Sequence, residues 1–490
     1  MGDNMKIEEY LTKLYGYNHH TKQNWKKYID LWESWYNGYN EDFHKYTIYN
    51  GRNEVFMKRH TLNMAKKCCE DWADLLFNEK CTVTLSNENE NETLQKILTD
   101  LNFWEFMNKS IEKAGALGTG AIVLSLDNII NDGINYYTDK ATPSLSYIDI
   151  HNIFPLSWDN KKINECAFIN KFVKDGIKYC DLSVHALGQS GTYIIKNHLF
   201  KMDNLDNVVE EIENKNIVKE FDTNSSIPWF SIISPNSNNN KQSNSPFGLS
   251  FFANSIDILQ AIDIGFDSFV NEVSLSRKRI FVRDDLIDYG EDGKGHPVFH
   301  ASDIAVYTLP NGMDKEDLIQ SENSDIRSQS LEKYLKNMLS IFSDSVGFET
   351  NFYTFENNTA VKTATEVISN NNKMYRRKKK HEILLESAIY DIVTCLCRIL
   401  NDFTGHKLST DGLTIKFDDS IVEDINSISA RALSEFKSGI ISASEYRQKV
   451  FGESIELSKA KYEEVLRSKL YTDNYFKNIE TQNNNEMQNT

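Results

Sequence analysis

Apolar residues recur at three- and four-residue steps through the middle of the chain. Phe252, Ile256, Leu259, Ile262, Phe266, Phe269 and Val273 form one stripe, the period of a helix with a buried face. Pro246 sits where a first helical turn favours proline, and none follows in the run, so the spacing predicts one helix over 245–280. At ~1.5 Å per residue it would be about 50 Å long. Ile258, Ala261, Gly265 and Val270 place apolar or small residues on other faces, so this helix needs neighbours on more than one side. Leu331, Tyr334, Leu335, Met338, Phe342 and Val346 predict a second helix over 329–346. Between the two, 281–328 reads as a compact insert with turns at Gly290, Gly293 and Gly295. Thr363-x-x-Glu366 is a capping box that opens a third helix, which runs to about Phe403 and stops before Gly405.

The N-terminal half mixes periods. Trp25, Tyr28, Leu31, Trp32, Trp35 and Tyr36 follow helical spacing up to Gly38, and further helices are predicted over 54–77 and 92–116. Gly118-Thr119-Gly120 then breaks into an apolar strand, and short strands follow between 145 and 221. An Asn/Ser-rich linker occupies 236–244. Shorter helices fill 421–470, separated at Gly439 and Gly452, with Ser442-x-x-Glu445 opening one. Residues 471–490 are Asn/Gln-rich and predict disorder. The expected class is α+β, mainly helical.

Composition narrows the function classes. The net charge of −17 excludes tight DNA binding over the whole surface, although an acidic chain can surround DNA without gripping it. Seven cysteines at irregular spacings argue against a disulfide framework and fit a reducing compartment. No apolar run is long enough to span a membrane, and the N-terminus lacks a signal pattern, so a cytoplasmic site of synthesis is expected.

Candidate chemistry is sparse. Gly118-Thr119-Gly120 follows a helix and precedes a strand, the reverse of a phosphate loop, and reads as a tight turn. No catalytic set, cofactor site or metal site emerges. Asp284, Asp285 and Asp288 in the insert admit a metal-nuclease reading or a plainly solvated acidic loop. Arg376, Arg377, Lys378, Lys379 and Lys380 interrupt a helix otherwise patterned for burial. They suit phosphate contact or a face pairing with an acidic neighbour. Arg277, Lys278 and Arg279 close the first long helix. There they complement its dipole or serve docking or DNA contact.

The order of long helix, small insert, returning helix, polar loop, third helix and C-terminal helical bundle resembles a bacteriophage portal protein. The branch it is similar to is that of long-tailed double-stranded DNA phages of Gram-positive hosts. The similarity is most specific over 63–80, 245–282 and 362–368. It implies a wing (1–244 and 363–420), a stem (245–280 and 329–346), a clip (281–328), a tunnel loop (347–362), a crown (421–470) and a disordered tail (471–490). It implies a closed homo-oligomeric ring, dodecameric in the virion, at one capsid vertex and assembled in the host cytoplasm. Such a ring passes double-stranded DNA non-specifically during packaging and ejection. Its partners would be the large terminase, head-completion or adaptor proteins, and the major capsid and scaffolding proteins; no membrane is involved and nothing is hydrolysed. Glu349, Asn351, Phe352, Tyr353, Asn357 and Asn358 would belong to the tunnel loop, with the aromatic rings either in the channel or packing the loop base. Asp257, Asp263, Asp267 and Glu272 would repel phosphates wherever they face the lumen. Arg283, Asp284, Asp285 and Asp288 would lie on the docking clip. A metal-dependent DNA-processing enzyme built on the acidic insert and a helical adaptor protein are the alternatives.

Overall fold

The computed structural model describes residues 5–49, 51–127, 130–131, 136–137, 142–159, 162–213, 217–276, 279–283, 306–309, 319–322, 327–354, 364–417, 425–451 and 457–467. The chain divides into two units, 1–357 with 376–417, and 358–375 with 418–490.

The first unit holds more sheet than a mainly helical chain would. A seven-stranded antiparallel sheet is built on Lys162–Lys174, Ile177–Leu187 and Tyr193–Met202. Asp175 and Gly176 join the first two of these strands, both with positive φ (52° and 76°). That is the two-residue turn whose twist matches paired strands. One face of this sheet receives the Ile7–Tyr15 helix through Ile7 and Leu11, against Phe154, Leu182 and Phe200. On the other face of the same strands, Phe168 and Tyr193 pack on Phe230 and Ala121 of a smaller sheet made by Gly120–Asp127, Thr142–Asp149 and Phe230–Ile233. The alternation of apolar and polar residues along these strands is what lets each sheet bury a face.

Helices Met64–Leu76 and Phe103–Leu117 form a second core around Trp72, Phe77 and Met107, all fully buried. The sequence pattern over 92–116 predicts one helix, but the structure has two, Glu88–Asp100 and Phe103–Leu117. Asn102 between them takes φ 49°, which a continuous right-handed helix does not allow. The prediction over 54–77 also changes. Glu54–Lys58 is a strand paired with Lys45–Tyr49, and only Met64–Leu76 is helical. Asn63, at φ 53°, marks the helix start.

The long central helix is shorter than its periodicity suggests, spanning Ile256–Leu275, or about 30 Å. Residues 245–255 are tied elsewhere through their backbone. The amide of Gly248 donates to Thr119 Oγ1 (2.9 Å), and that of Phe251 to the Gly115 carbonyl (2.9 Å). The Ser245 hydroxyl accepts from the Phe247 amide (3.2 Å), a local turn that competes with helix. A Cβ on Gly118 would stand 2.5 Å from the Gly248 carbonyl oxygen, so only glycine permits this crossing. Phe252, read as part of a helix stripe, is instead a buried side chain of this turn-rich segment, as is Phe247.

Ser328–Val346 matches its predicted span closely, and Ala364–Thr404 ends just before Gly405, which sits at φ 73°. Within the insert, Arg279–Arg283 is the middle strand of three, parallel to Val306–Leu309 and antiparallel to Ile319–Glu322. All seven cysteines are buried and unbridged. Burial pushes the Cys180 and Cys397 thiols up to about 12, so these behave as apolar filling.

The second unit contains Ile425–Lys437 and Ala443–Phe451. Gly439 closes the first at φ 72°. Ser442 opens the second with the reciprocal bonds of a capping box: the Glu445 amide to its hydroxyl (3.3 Å), and its own amide to Glu445 Oε2 (2.7 Å). Phe436 and Tyr446 pack ring to ring at 5.6 Å, and Lys449 pairs with Glu435 at 2.8 Å.

Candidate functional site

The paired helices around the insert, and the loop that follows them, hold most of the sequence-derived candidates. Ile256–Leu275 and Ser328–Val346 run antiparallel, and contacts along their length fix this. The hydroxyls of Ser255 and Ser345 lie 2.9 Å apart at one end. In the middle, Tyr334 donates to the Ala261 carbonyl (3.2 Å) and its ring covers Gly265, where a Cβ would meet Tyr334 Cε1 at 2.5 Å. At the far end Arg327 reaches Glu272 with Nε (3.0 Å) and Nη2 (2.8 Å). That fork is the favoured geometry for a guanidinium and a carboxylate, and it holds Glu272 below the usual carboxylate range.

Asp263 and Asp267 share a helix face, as their spacing predicts, but that face is covered. Asp263 is 3% exposed and Asp267 6%. Asp263 accepts from His44 Nε2 (3.0 Å) and from the Leu62 amide (2.8 Å). Asp267 accepts from the His60 amide (2.9 Å), His60 Nδ1 (2.8 Å) and Asn271 (3.0 Å). The two carboxylates therefore clamp both ends of the Lys45–Lys58 hairpin onto the helix. They are structural within the chain, and buried in this way they present no free carboxylate to solvent. Of the other two acids singled out on this helix, Asp257 is exposed and Glu272 is half-buried beneath Arg327.

The loop after Val346 is pinned at its root. Gly347 takes φ 102°, and the Phe348 amide returns to the Ser343 carbonyl (2.9 Å), closing the helix. Phe348 is buried against Trp72 (4.8 Å between rings), whose Nε1 donates to the Val346 carbonyl (3.1 Å). Phe352 stacks on Phe348 at 4.3 Å yet remains 46% exposed. Tyr353 packs on Phe342 and Phe348, and burial holds its phenol far above the usual range. Thus Phe352 and Tyr353 build the loop base, while Asn351 is exposed and Glu349 half-buried.

The basic run divides by face. Lys378 is buried and pairs with buried Glu382, which Lys379 also reaches (3.0 Å). Arg377 lies over Gly347, with Nη1 3.4 Å from the Ser345 carbonyl oxygen. Arg376 and Lys380 are exposed. Next in sequence, His381 packs edge-on to Trp72 and accepts from the Asn236 amide at Nδ1 (3.0 Å). Burial, reinforced by Lys380 and Arg377, lowers its pKa to about 4. Arg277, Lys278, Asp284, Asp285, Asp288, Asn357 and Asn358 lie outside the described residues, as do the side chains of Arg279 and Arg283. Among the described residues no group of histidine, cysteine and carboxylate side chains is arranged to hold a metal ion. Trp72, His381 and Arg327 are the members of this region that sequence reasoning did not assign.

The sequence profile described as "Phage portal protein, SPP1 Gp6-like" matches residues 16–468. The chain belongs to that family. Phage portals of this kind are structural and non-enzymatic, which removes the DNA-processing alternative, and they are components of the virion capsid. The fold is that of a portal, with substantial sheet beside its helices. Solved structures similar to this portal include the neck of a native GTA particle computed with C12 symmetry, at 10% identity and TM-score 0.36, over 79% of this chain and 89% of that one. Another is the neck of an empty GTA particle computed with C6 symmetry, at 11% identity and TM-score 0.36, over 79% and 87%. No curated protein matches. No helix of the described residues is long and apolar enough to cross a membrane.

Proposed function

We propose that this chain is the subunit of a closed portal ring, dodecameric in the virion, that sits at one capsid vertex and conducts double-stranded DNA in and out. The family match over 16–468 is the observation that carries the reading. In it, 1–244 and 363–420 form the wing, 245–280 and 329–346 the stem, and 281–328 the clip where the large terminase and later the head-completion proteins dock. Residues 347–362 are the tunnel loop, 421–470 the crown, and 471–490 a tail. Major capsid and scaffolding proteins are its assembly partners, and assembly takes place in the host cytoplasm.

The antiparallel helix pair suits a stem, because Tyr334 on Gly265 and Arg327 on Glu272 lock it as one rigid strut. The pinned root at Trp72 suits a tunnel loop, because it presents Asn351 from a fixed base. Polar amides make weak contacts that carry no sequence information, as a sliding duplex requires. Asp257 is the stem carboxylate this reading places toward DNA, and Arg376 and Lys380 are the candidates for phosphate or subunit contact.

Electron microscopy of the purified protein, alone and with capsid and scaffolding proteins, tests the proposal. Closed rings with an axial hole of duplex width are expected, and top views give the subunit number. A chain that stays monomeric with those partners present overturns it.

A further inference from the structure

The Lys45–Lys58 hairpin exposes a cluster of large apolar side chains. Tyr49 is 68% exposed and Phe56 73%, while Ile48 and Val55 are also exposed. The register places Tyr46 opposite Met57 and Ile48 opposite Val55. Side chains two apart share a face, so these four residues form one apolar face. Tyr46 and Met57 are half-buried at its base, and Ile48 and Val55 continue it into solvent. Tyr49 and Phe56 stand on the opposite face. A two-stranded hairpin that exposes apolar groups on both faces is marginal by itself in water.

This hairpin is nevertheless held rigidly. Asp263 and Asp267 bind His44, His60 and Leu62 at its two ends. Arg59 lies over Phe43 and Tyr46 and donates to the Phe43 carbonyl (2.6 Å). Two buried carboxylates thus fix an element that carries four exposed apolar side chains, which is how a pre-organised contact surface is built.

We infer that the hairpin tip is an inter-subunit contact, seated on a second copy of this chain. The inference rests on the portal reading. Charge favours that occupant. Residues 41–59 carry four Lys or Arg against three carboxylates, one of which pairs with Lys45, whereas the whole chain carries −17, so the hairpin is the more basic partner for a copy of the chain. Nucleic acid fits less well. Lys45 pairs with Glu41 (3.1 Å), Arg59 lies over Phe43 and Tyr46, and Lys58 lies over the Tyr39 ring, so beside Arg52 the tip offers mainly Ile48, Tyr49, Val55 and Phe56. Phosphates are bound by available cations. A ring also needs two different surfaces per subunit, and a projecting hairpin supplies one of them.

The test measures assembly by mass photometry across a concentration series for the full chain and for Phe56→Asp, Ile48→Asp and Leu205→Asp. Leu205 is 78% exposed in a turn far along the sequence and serves as the control. The two hairpin variants should keep the wild-type circular dichroism and urea midpoint, and should need at least about tenfold more protein for half-assembly, equivalent to one lost apolar anchor. Leu205→Asp should assemble as wild type. In parallel, Phe56 replaced by benzoylphenylalanine should photo-crosslink to another copy of the chain. Normal assembly of both hairpin variants, or crosslinks only to DNA or to a different protein, overturns the inference and leaves the portal reading standing. A wild-type chain that never assembles, even with capsid and scaffolding proteins, overturns both.

Discussion

Replacing Asp263 separates two roles for a stem carboxylate. If it faced a DNA channel, Asp263→Asn would leave folding untouched and change only how the duplex slides. The structure predicts otherwise. Asp263 is 3% exposed and His44 fully buried. The Asn40 amide donates to His44 Nδ1 (2.8 Å), so Nε2 carries the hydrogen that Asp263 accepts. The Leu62 amide is the second donor, at 2.8 Å. Asp263→Ala orphans both, and each unsatisfied buried donor costs about 1–3 kcal/mol, so the total is roughly 3–5 kcal/mol. Asp263→Asn keeps the shape but turns an NH2 group toward one donor, at about 1–3 kcal/mol. Asp267→Asn should cost less, because its partner His60 is 53% exposed and water can replace the lost bond. The assay is the urea midpoint at constant slope, joined to hydrogen exchange at Leu62 and along 45–58. Exchange there should rise about tenfold for each 1.4 kcal/mol lost locally. An unchanged midpoint and an unchanged Leu62 amide in Asp263→Asn would refute the clamp.

Four further outcomes are expected. His381 has its pKa lowered to about 4 from an ordinary 6.5, so between those pH values the unfolded chain binds a proton that the folded chain does not. Stability is full above pH 6.5 and falls by about 3 kcal/mol as pH drops to 4, and the urea midpoint of His381→Asn should fall less between pH 7 and 4.5. Gly265→Ala forces Tyr334 off the helix at a cost of about 1–3 kcal/mol, read as a lower melting temperature; an unchanged value would mean the helix pair is loose. Lys378→Met leaves buried Glu382 with Lys379 alone and should cost about 3 kcal/mol in denaturant titration. In assembled rings, Asp257→Lys should raise DNA retention in a salt-dependent way, and identical elution of DNA from variant and wild type across a salt series would remove Asp257 from the channel wall.

Local signals were legible in the sequence, and long-range ones were not. The helix 328–346 followed from its periodicity, and the box at Ser442 and Glu445 from capping chemistry alone, because each is decided within a few residues. The hairpin was hidden because Glu54–Lys58 continues a helical pattern, and its partner strand is fixed by carboxylates about 200 positions away. The early start expected for the central helix failed for a related reason. Its first ten positions have helical periodicity, but their amides are claimed by Thr119 and Gly115, more than a hundred residues upstream. The spacing of Asp263 and Asp267 showed that they share a face, but no spacing could show that His44, His60 and Leu62 occupy it.

The faces of the Ile256–Leu275 helix decide what the apolar pattern was for. Apolar or small residues on several sides suggested ring neighbours. Within one protomer, Gly265 already meets Tyr334 and Leu335, while Asp263 and Asp267 meet the hairpin segments. What remains exposed includes Asp257, Ile264 and Ser268, at steps of seven and four, which fall on one face. The surplus apolar character is thus mostly consumed inside the subunit. The surface left over is a narrow strip with one carboxylate near its start, and the larger apolar exposure has moved to the hairpin that the two buried carboxylates hold. A contact between copies that relies on apolar burial is therefore served best at Ile48, Tyr49, Val55 and Phe56, which are exposed side by side on one hairpin, whereas Ile264, Val273 and Ile341 are spread along the helix pair.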